Sequence, residues 1–269
     1  MPNLCKKNGK QIKYICIYHK ILVPLYSTKM RIYAKKANKM IIKRPLYLKQ
    51  LINRQHNGMI KIITGMRRSG KSYLLFSLFV DYLTSQGIDA THIIKIDLED
   101  ITNDYLREPF TLIEHINQRI TDNKEYYILI DEVQHLQRFE DVLNTLLKNS
   151  QIDVYVTGSN ARFLSKDVIT TFRGRGDEVR IHPLSFEEYM SVQSPMPFAE
   201  QHLNDYMRLG GMPQLATMKN EEQKRQYLSN LFTNTYLLDI KERYAIKNDD
   251  DLEELIDVIA SSIGCLTNP

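Results

Sequence analysis

Gly65-Met66-Arg67-Arg68-Ser69-Gly70-Lys71-Ser72 fits the phosphate-loop pattern G-x-x-x-x-G-K-[ST] at each fixed position. Glycine lets the backbone wrap closely around phosphate groups with successive N–H groups turned inward. Lys71 supplies a point charge for the β- and γ-phosphates of a nucleotide, and Ser72 a hydroxyl ligand for Mg2+. The helix that opens near Gly70 turns its positive dipole end toward the same place. Gly65, Met66, Arg67, Arg68, Ser69, Gly70, Lys71, Ser72 and the adjoining Tyr73 are therefore the candidate nucleotide-binding residues. The side chains of Arg67 and Arg68 either add positive field or face solvent.

The flanking sequence supplies the context that the motif requires, a strand before it and a helix after it. Met59–Thr64 reads as a short apolar strand, and Ser69–Ser85 carries Leu74, Leu75, Leu78, Phe79 and Tyr82 at helical spacing before Gly87. Alternation of the two periods continues. Strands are predicted over His92–Leu98, Tyr126–Ile130, Ile152–Thr157 and Glu178–His182, with helices over Asp104–Ile120, Phe139–Lys148 and Ala161–Phe172. The pattern is that of an α/β protein, three layers α/β/α around a parallel five-stranded sheet. After Pro183 the strands cease. Phe186–Val192, Ala199–Leu209 and Glu221–Tyr244 read as helices, with Gly210-Gly211 as a break, and Asp249–Ile263 opens one more. The domains expected are a basic extension (1–39), a P-loop core (40–185), a helical lid (186–247) and the opening of a further domain (248–269).

Three further stretches carry candidate chemistry. Tyr126-Tyr127-Ile128-Leu129-Ile130-Asp131-Glu132 is an apolar strand ending in two acids, as a Walker B element requires. Asp131 would join Ser72 in the Mg2+ shell, and Glu132 would orient or deprotonate the attacking water. Val154-Tyr155-Val156-Thr157-Gly158-Ser159-Asn160 places polar residues at the tip of another strand. Ser159 is the first choice there for sensing the γ-phosphate, with Thr157 and Asn160 as rivals and a plain helix cap as the alternative. Phe172-Arg173-Gly174-Arg175-Gly176 offers Arg173 and Arg175 as an arginine finger toward a neighbouring subunit, and so a route to a homo-oligomer. The same arginines could act in their own chain, touch nucleic acid, or pair with Asp177 and Glu178 at the surface.

Composition narrows the class. Apolar residues make up 43% and charged residues 25% of 269, the usual balance of a globular protein. No apolar run reaches the roughly 18 residues of a membrane span. The apolar stretch Ile12–Tyr26 is interrupted by His19 and Lys20 and has no small-residue cleavage site after it, so no secretory leader is expected. Cys5, Cys16 and Cys265 form no pair or metal spacing, which suits a reducing cytoplasm. The formal charge of +4 hides an asymmetry: residues 1–80 hold 18 Lys or Arg and no acid, and the remainder balances to −14. A basic arm can bind nucleic acid through its phosphates. The plainer reading divides this charge between a nucleotide site and a poorly packed extension, residues 1–39, or an upstream misreading of the start.

The stretches IIKRPLYLKQLI, IKIITGMRRSGKSYLL, YILIDEVQHL, VYVTGSNARFLS, FRGR, HPLSFEEY and YMRLGGMPQL, in this order, resemble a family of prokaryotic AAA-type P-loop ATPases. Members carry an N-terminal P-loop module and a C-terminal domain of unknown function with a winged-helix-like part. The resemblance runs from Met40 to the C-terminus and implies ATP as the nucleotide, with DDLEELIDVIASSIGCLTNP as little more than the opening of a truncated C-terminal domain. The expectation is an ATPase with sheet order 5-1-4-3-2, followed by an all-helical lid. Its reaction would be Mg2+-dependent hydrolysis of ATP to ADP and phosphate. The competing class is an ATP-gated module that binds DNA or a protein client with negligible turnover, and Glu132 favours the enzyme because a pure switch does not need it.

Overall fold

The computed structural model describes residues 41–158, 172, 174–193, 199–237, 240, 241, 246 and 249–262. The proposed extension 1–39, Ser159, Asn160, Arg173 and nearly all of the predicted helix 161–172 lie outside them. From Ile42 onward the described residues form one unit.

Strands β1 (Ile60–Gly65), β2 (Ile93–Asp97), β3 (Tyr126–Asp131), β4 (Ile152–Thr157) and β5 (Gly176–Ile181) pair in parallel in the order β2-β3-β4-β1-β5. This is the expected 5-1-4-3-2 order read from the other edge. Burial follows position. The three inner strands β1, β3 and β4 are buried along their whole length, whereas β2 and β5 carry half-buried or exposed residues. A strand covered on both faces is mostly apolar, as these three are; the charges that β1 and β4 bury, Lys61 and Asp153, pair with each other.

The two faces build the two outer layers. On one, Ile62, Ile96, Ile128, Ile130, Val154 and Val156 pack with Leu112 and Ile116 of α3 (Pro109–Asn117) and Val142, Leu143 and Leu146 of α4 (Phe139–Leu146). On the other, Ile63, Tyr127, Leu129, Tyr155, Val179 and Ile181 pack with α1 (Pro45–Ile52) and with Leu74, Leu75, Leu78, Phe79 and Leu83 of α2 (Lys71–Ser85). Helix α2 is α-helical over Lys71–Tyr73, π-helical over Leu74–Phe79 and α-helical again over Val80–Ser85. Its π-helical stretch buries Leu74, Leu75, Leu78 and Phe79 under the sheet.

Two local departures from the sequence reading have physical causes. Helix α1 was not expected. Only Tyr47 and Leu51 of its eight residues are buried, too few to establish a period. The helix predicted over Asp104–Ile120 is divided. A 3-10 turn covers Ile101–Arg107, Glu108 is extended, and α3 begins at Pro109 with Thr111 N–H donating to Glu108 Oε2 at 2.7 Å. Proline disfavours helical backbone in the residue before it, so the break falls at Glu108.

Beyond β5 the described chain is helical. α5 (Phe186–Met190) starts with a reciprocal cap between Ser185 and Glu188. α6 (Ala199–Leu209) is followed by a 3-10 turn over Pro213–Thr217 and by α7 (Glu221–Leu231), which continues as a π-helix over Phe232–Leu237. α8 (Asp249–Ser261) comes last. Leu184 N–H donates to Gly211 O at 2.7 Å, which ties the Gly210-Gly211 break to the strand exit of β5. No helix among the described residues is long and apolar enough to cross a membrane.

Candidate functional site

The phosphate loop leaves the C-terminal end of β1, the end at which parallel α/β sheets bind ligands. Its conformation demands its glycines. Gly65 has φ +144, and a Cβ there would lie 2.3 Å from Ile181 O of β5. Gly70 has φ +98, and its carbonyl accepts from Leu74 N–H at 2.9 Å in the first turn of α2. Gly65→Ala is therefore expected to destabilise the fold by about 1–3 kcal/mol through backbone strain alone. It should also weaken nucleotide affinity; thermal unfolding with and without ATP measures both, and an unshifted midpoint would refute the close approach.

Lys71 is buried and donates to Gly65 O at 3.1 Å and Met66 O at 3.0 Å, so its ammonium sits within the curve of the loop. Burial pushes this ammonium below the ordinary lysine range, while Glu132 and Asp131 oppose the shift. Ser72, one residue on, is exposed and hydrogen-bonds Asp131. Met66, Arg67 and Arg68 are exposed, Ser69 is buried, Tyr73 is half-buried, and the Arg68 guanidinium stands 5.7 Å over the Tyr227 ring of α7.

Asp131 and Glu132 reach the loop from β3, two strands away, with β4 between. Asp131 is buried, which raises its carboxyl above the usual range; hydrogen bonds from Thr157 and Ser72 pull the other way. Thr157, fully buried, holds both acids. Its hydroxyl donates to Asp131 Oδ1 and accepts from Glu132 N–H at 3.0 Å. Of the polar residues at the β4 tip, then, Thr157 is occupied with the acidic pair rather than directed at the cleft. Glu132 takes a left-handed backbone conformation, φ 51, and Gln134 Nε2 donates to its Oε2.

Beside these residues lies a cleft of about 830 Å³. Arg67, Arg68, Gly70, Lys71, Ser72 and Tyr73 form one wall, and Glu132 with Gln134 and His135 forms another. Glu99 and Arg107 enter from beyond β2, and Pro213, Gln214, Met218 and Tyr227 close it from the helical side. Neither of the last two groups was identified from the sequence. Glu99 follows the C-terminal end of β2, a position where ligand contacts concentrate. Arg107 has no such signal: its guanidinium meets Leu98 O at 3.0 and 2.8 Å only after the intervening 3-10 turn has folded.

Arg44 is a second residue that local sequence does not single out. It is buried and reaches Ser69 O of the loop at 3.0 Å, His182 O beyond β5 at 2.6 Å and Glu188 of α5 at 2.9 Å. One guanidinium thus joins the phosphate loop to the helical segment, which a planar fork of donors suits.

Arg175 lies elsewhere. Its carbonyl accepts from Ile60 N–H at 2.8 Å, at the start of β1, and its guanidinium meets Asn144 at 3.2 Å. The whole of β1 separates it from the phosphate loop, on the order of 20 Å at the usual strand rise. It does not enter the cleft of its own chain.

Residues 57–190 match the family described as AAA domain, and residues 200–269 match the domain of unknown function DUF8612. The second match begins within the segment expected from the sequence to be a lid. An uncharacterized protein of Haemophilus influenzae is 34% identical over 236 residues, 86% of this chain and 58% of that protein. One of Methanocaldococcus jannaschii is 28% identical over 240 residues, covering 84% and 50%. The chain thus spans between half and three fifths of the length of these curated relatives. Among solved structures, domain III of the Thermotoga maritima replication initiation protein DnaA aligns with a TM-score of 0.38 and 17% identity, over 78% of this chain and 90% of that one. Caenorhabditis elegans PCH-2 aligns with a TM-score of 0.40 and 15% identity, over 61% and 44%. Strand order and register, rather than these partial likenesses, define the fold. The chain belongs to the AAA-type P-loop ATPases in which an AAA domain is followed by a C-terminal domain of unknown function.

Proposed function

We propose that this protein binds ATP with Mg2+ in the cleft and hydrolyses it to ADP and phosphate. One observation carries the reading: Lys71 and Ser72 of the phosphate loop line the same cleft as Glu132, and Ser72 hydrogen-bonds the buried Asp131 beside it. In this reading Gly65 to Tyr73 enclose the phosphates, with loop N–H groups and the Lys71 ammonium balancing their charge. Ser72 and Asp131, already hydrogen-bonded to each other, present hard oxygen donors suited to Mg2+. Among the described residues no group of three or more His, Cys, Asp or Glu could hold a metal alone, so the remaining ligands would be water and phosphate oxygens. When bound, Mg2+ supplies neutralisation of the charge on the β- and γ-phosphates. Glu132 orients the water for in-line attack and accepts its proton. Ser159 is proposed as the contact to the γ-phosphate, since Thr157 is taken by the acidic pair.

Arg175, and Arg173 beside it, are proposed to serve a neighbouring copy rather than their own. The support is Arg175's place at the far end of β1. DNA, or a protein client, is then what the assembly would act on, and a reducing cytoplasm its setting. The test is ATP turnover across a range of protein concentrations, with and without EDTA. Specific activity should rise with concentration and vanish on metal removal. A concentration-independent rate would remove the arginine role, and tight ATP binding with no turnover at any concentration would leave a nucleotide-gated binding module instead.

A further inference from the structure

The segment between β2 and α3 presents apolar side chains to solvent in an unusual density. Ile101 is 76% exposed, Tyr105 55% and Phe110 74%. Single exposed apolar residues are ordinary, but three within ten residues, two of them aromatic, mark a contact surface. The segment is firmly held. Leu106 between them is buried in the core, and the Arg107 guanidinium binds both Leu98 O and Asp104. Asp100 and Glu108 cap their turns through Thr102 N–H at 2.9 Å and Thr111 N–H at 2.7 Å. These bonds keep both carboxyls below the usual carboxylate range, so both are charged at neutral pH. The exposed rings stand on a fixed platform.

The charge around them selects the partner. Residues 97–110 contain Asp97, Glu99, Asp100, Asp104 and Glu108 against the single cation Arg107. Nucleic acid phosphates would be repelled from such a rim, and a cationic segment attracted. The cations Lys95 and Arg119 line a different groove further along β2 and α3. We infer that Ile101, Tyr105 and Phe110, in a segment that carries these carboxylates, form a docking site for a basic, apolar peptide segment of a partner protein. The aromatic anchors supply affinity and the acidic rim supplies selection by charge. Docking does not depend on hydrolysis, although Glu99 and Arg107 of the same segment also line the cleft.

The experiment uses fluorescence anisotropy with the whole chain and three labelled probes: a peptide alternating lysine and leucine, the same peptide with glutamate for lysine, and a single-stranded oligonucleotide. The lysine peptide should bind, more weakly as salt rises. A doubly substituted protein, Ile101→Ser with Phe110→Ser, should bind it at least about tenfold more weakly. Asp100→Asn with Glu108→Gln, which keeps acceptors for the Thr102 and Thr111 caps, should weaken binding and flatten its salt dependence. These are surface positions outside the candidate nucleotide site, so unchanged ATP affinity verifies the fold of each variant. Lysine-peptide binding that is absent, or undiminished in the Ile101→Ser, Phe110→Ser protein, overturns the proposal. So does equal binding of the glutamate peptide or the oligonucleotide at this surface, or self-association that the same substitutions abolish.

Discussion

Glu132→Gln is expected to lower ATP turnover by about 10²–10⁴-fold, the usual share of a positioned general base, while leaving ATP affinity nearly intact. The substitution preserves size and the acceptor that Gln134 meets, and it leaves the backbone bond from Glu132 N–H to Thr157 in place. Proton acceptance is removed, together with the negative charge that helps hold up the Lys71 pKa. Lys71, Ser72 and Asp131 are untouched, so binding of a fluorescent ATP analogue should be that of the parent protein. Single-turnover hydrolysis should collapse. Residual turnover above roughly a tenth of the parent rate would show that Glu132 is not the base. Glu99, which also lines the cleft, would then be the next acid to test.

The second large effect concerns stability, at the opposite end of the sheet. Lys61 of β1 and Asp153 of β4 form an ion pair with exposures of 0% and 3%. Asp153 also accepts from Tyr155 OH at 2.9 Å and His56 N–H at 3.1 Å, and Lys61 donates to Met59 O at 3.0 Å. Asp153→Ala strips the ammonium of its counter-charge where water cannot reach, which typically costs about 3–5 kcal/mol. Replacing both, Lys61→Met with Asp153→Asn, removes the charges together, keeps an acceptor for Tyr155 and His56, and should recover most of that loss. Urea unfolding of the singles and the double resolves the coupling; a loss below about 1 kcal/mol for Asp153→Ala would mean that the pair is not desolvated.

The pH dependence of that variant follows from the lysine. Burial lowers the Lys61 pKa below its ordinary 10.5, and Asp153 is the group that holds it up. Without Asp153 the folded-state value falls further. Between it and the unfolded value the unfolded chain binds more protons, so stability increases with pH across that window. The deficit of Asp153→Ala should therefore be smaller at about pH 9.5 than at neutrality.

Much of the architecture is legible along the chain because its causes are local. Strand β4 spans Ile152–Thr157 as expected, since a short, mostly β-branched and aromatic segment between turn residues favours extended backbone. The phosphate loop is legible for the same reason: Gly65 and Gly70 adopt backbone conformations closed to other residues, and the chemistry of Lys71 and Ser72 follows from their place on the next turn. The acidic pair was found because Asp131 and Glu132 end an inner strand. What escaped notice are contacts between residues distant in sequence. Arg44 meets Glu188 across 144 positions, and the cleft's far wall comes from Pro213 to Tyr227, which the sequence presents only as a glycine break and a polar helix.

The sequence by itself determined the α/β class, the glycine loop that opens α2 and the acid pair that closes β3, because each depends on short-range backbone geometry and periodicity. Only the tertiary structure decided which groups share a space. It gave the Thr157 hydroxyl to Asp131 and Glu132, sent Arg175 to the far end of β1, and sealed Lys61 against Asp153. Those outcomes rest on how the sheet aligns its strands, and strand alignment brings together residues that no local pattern relates.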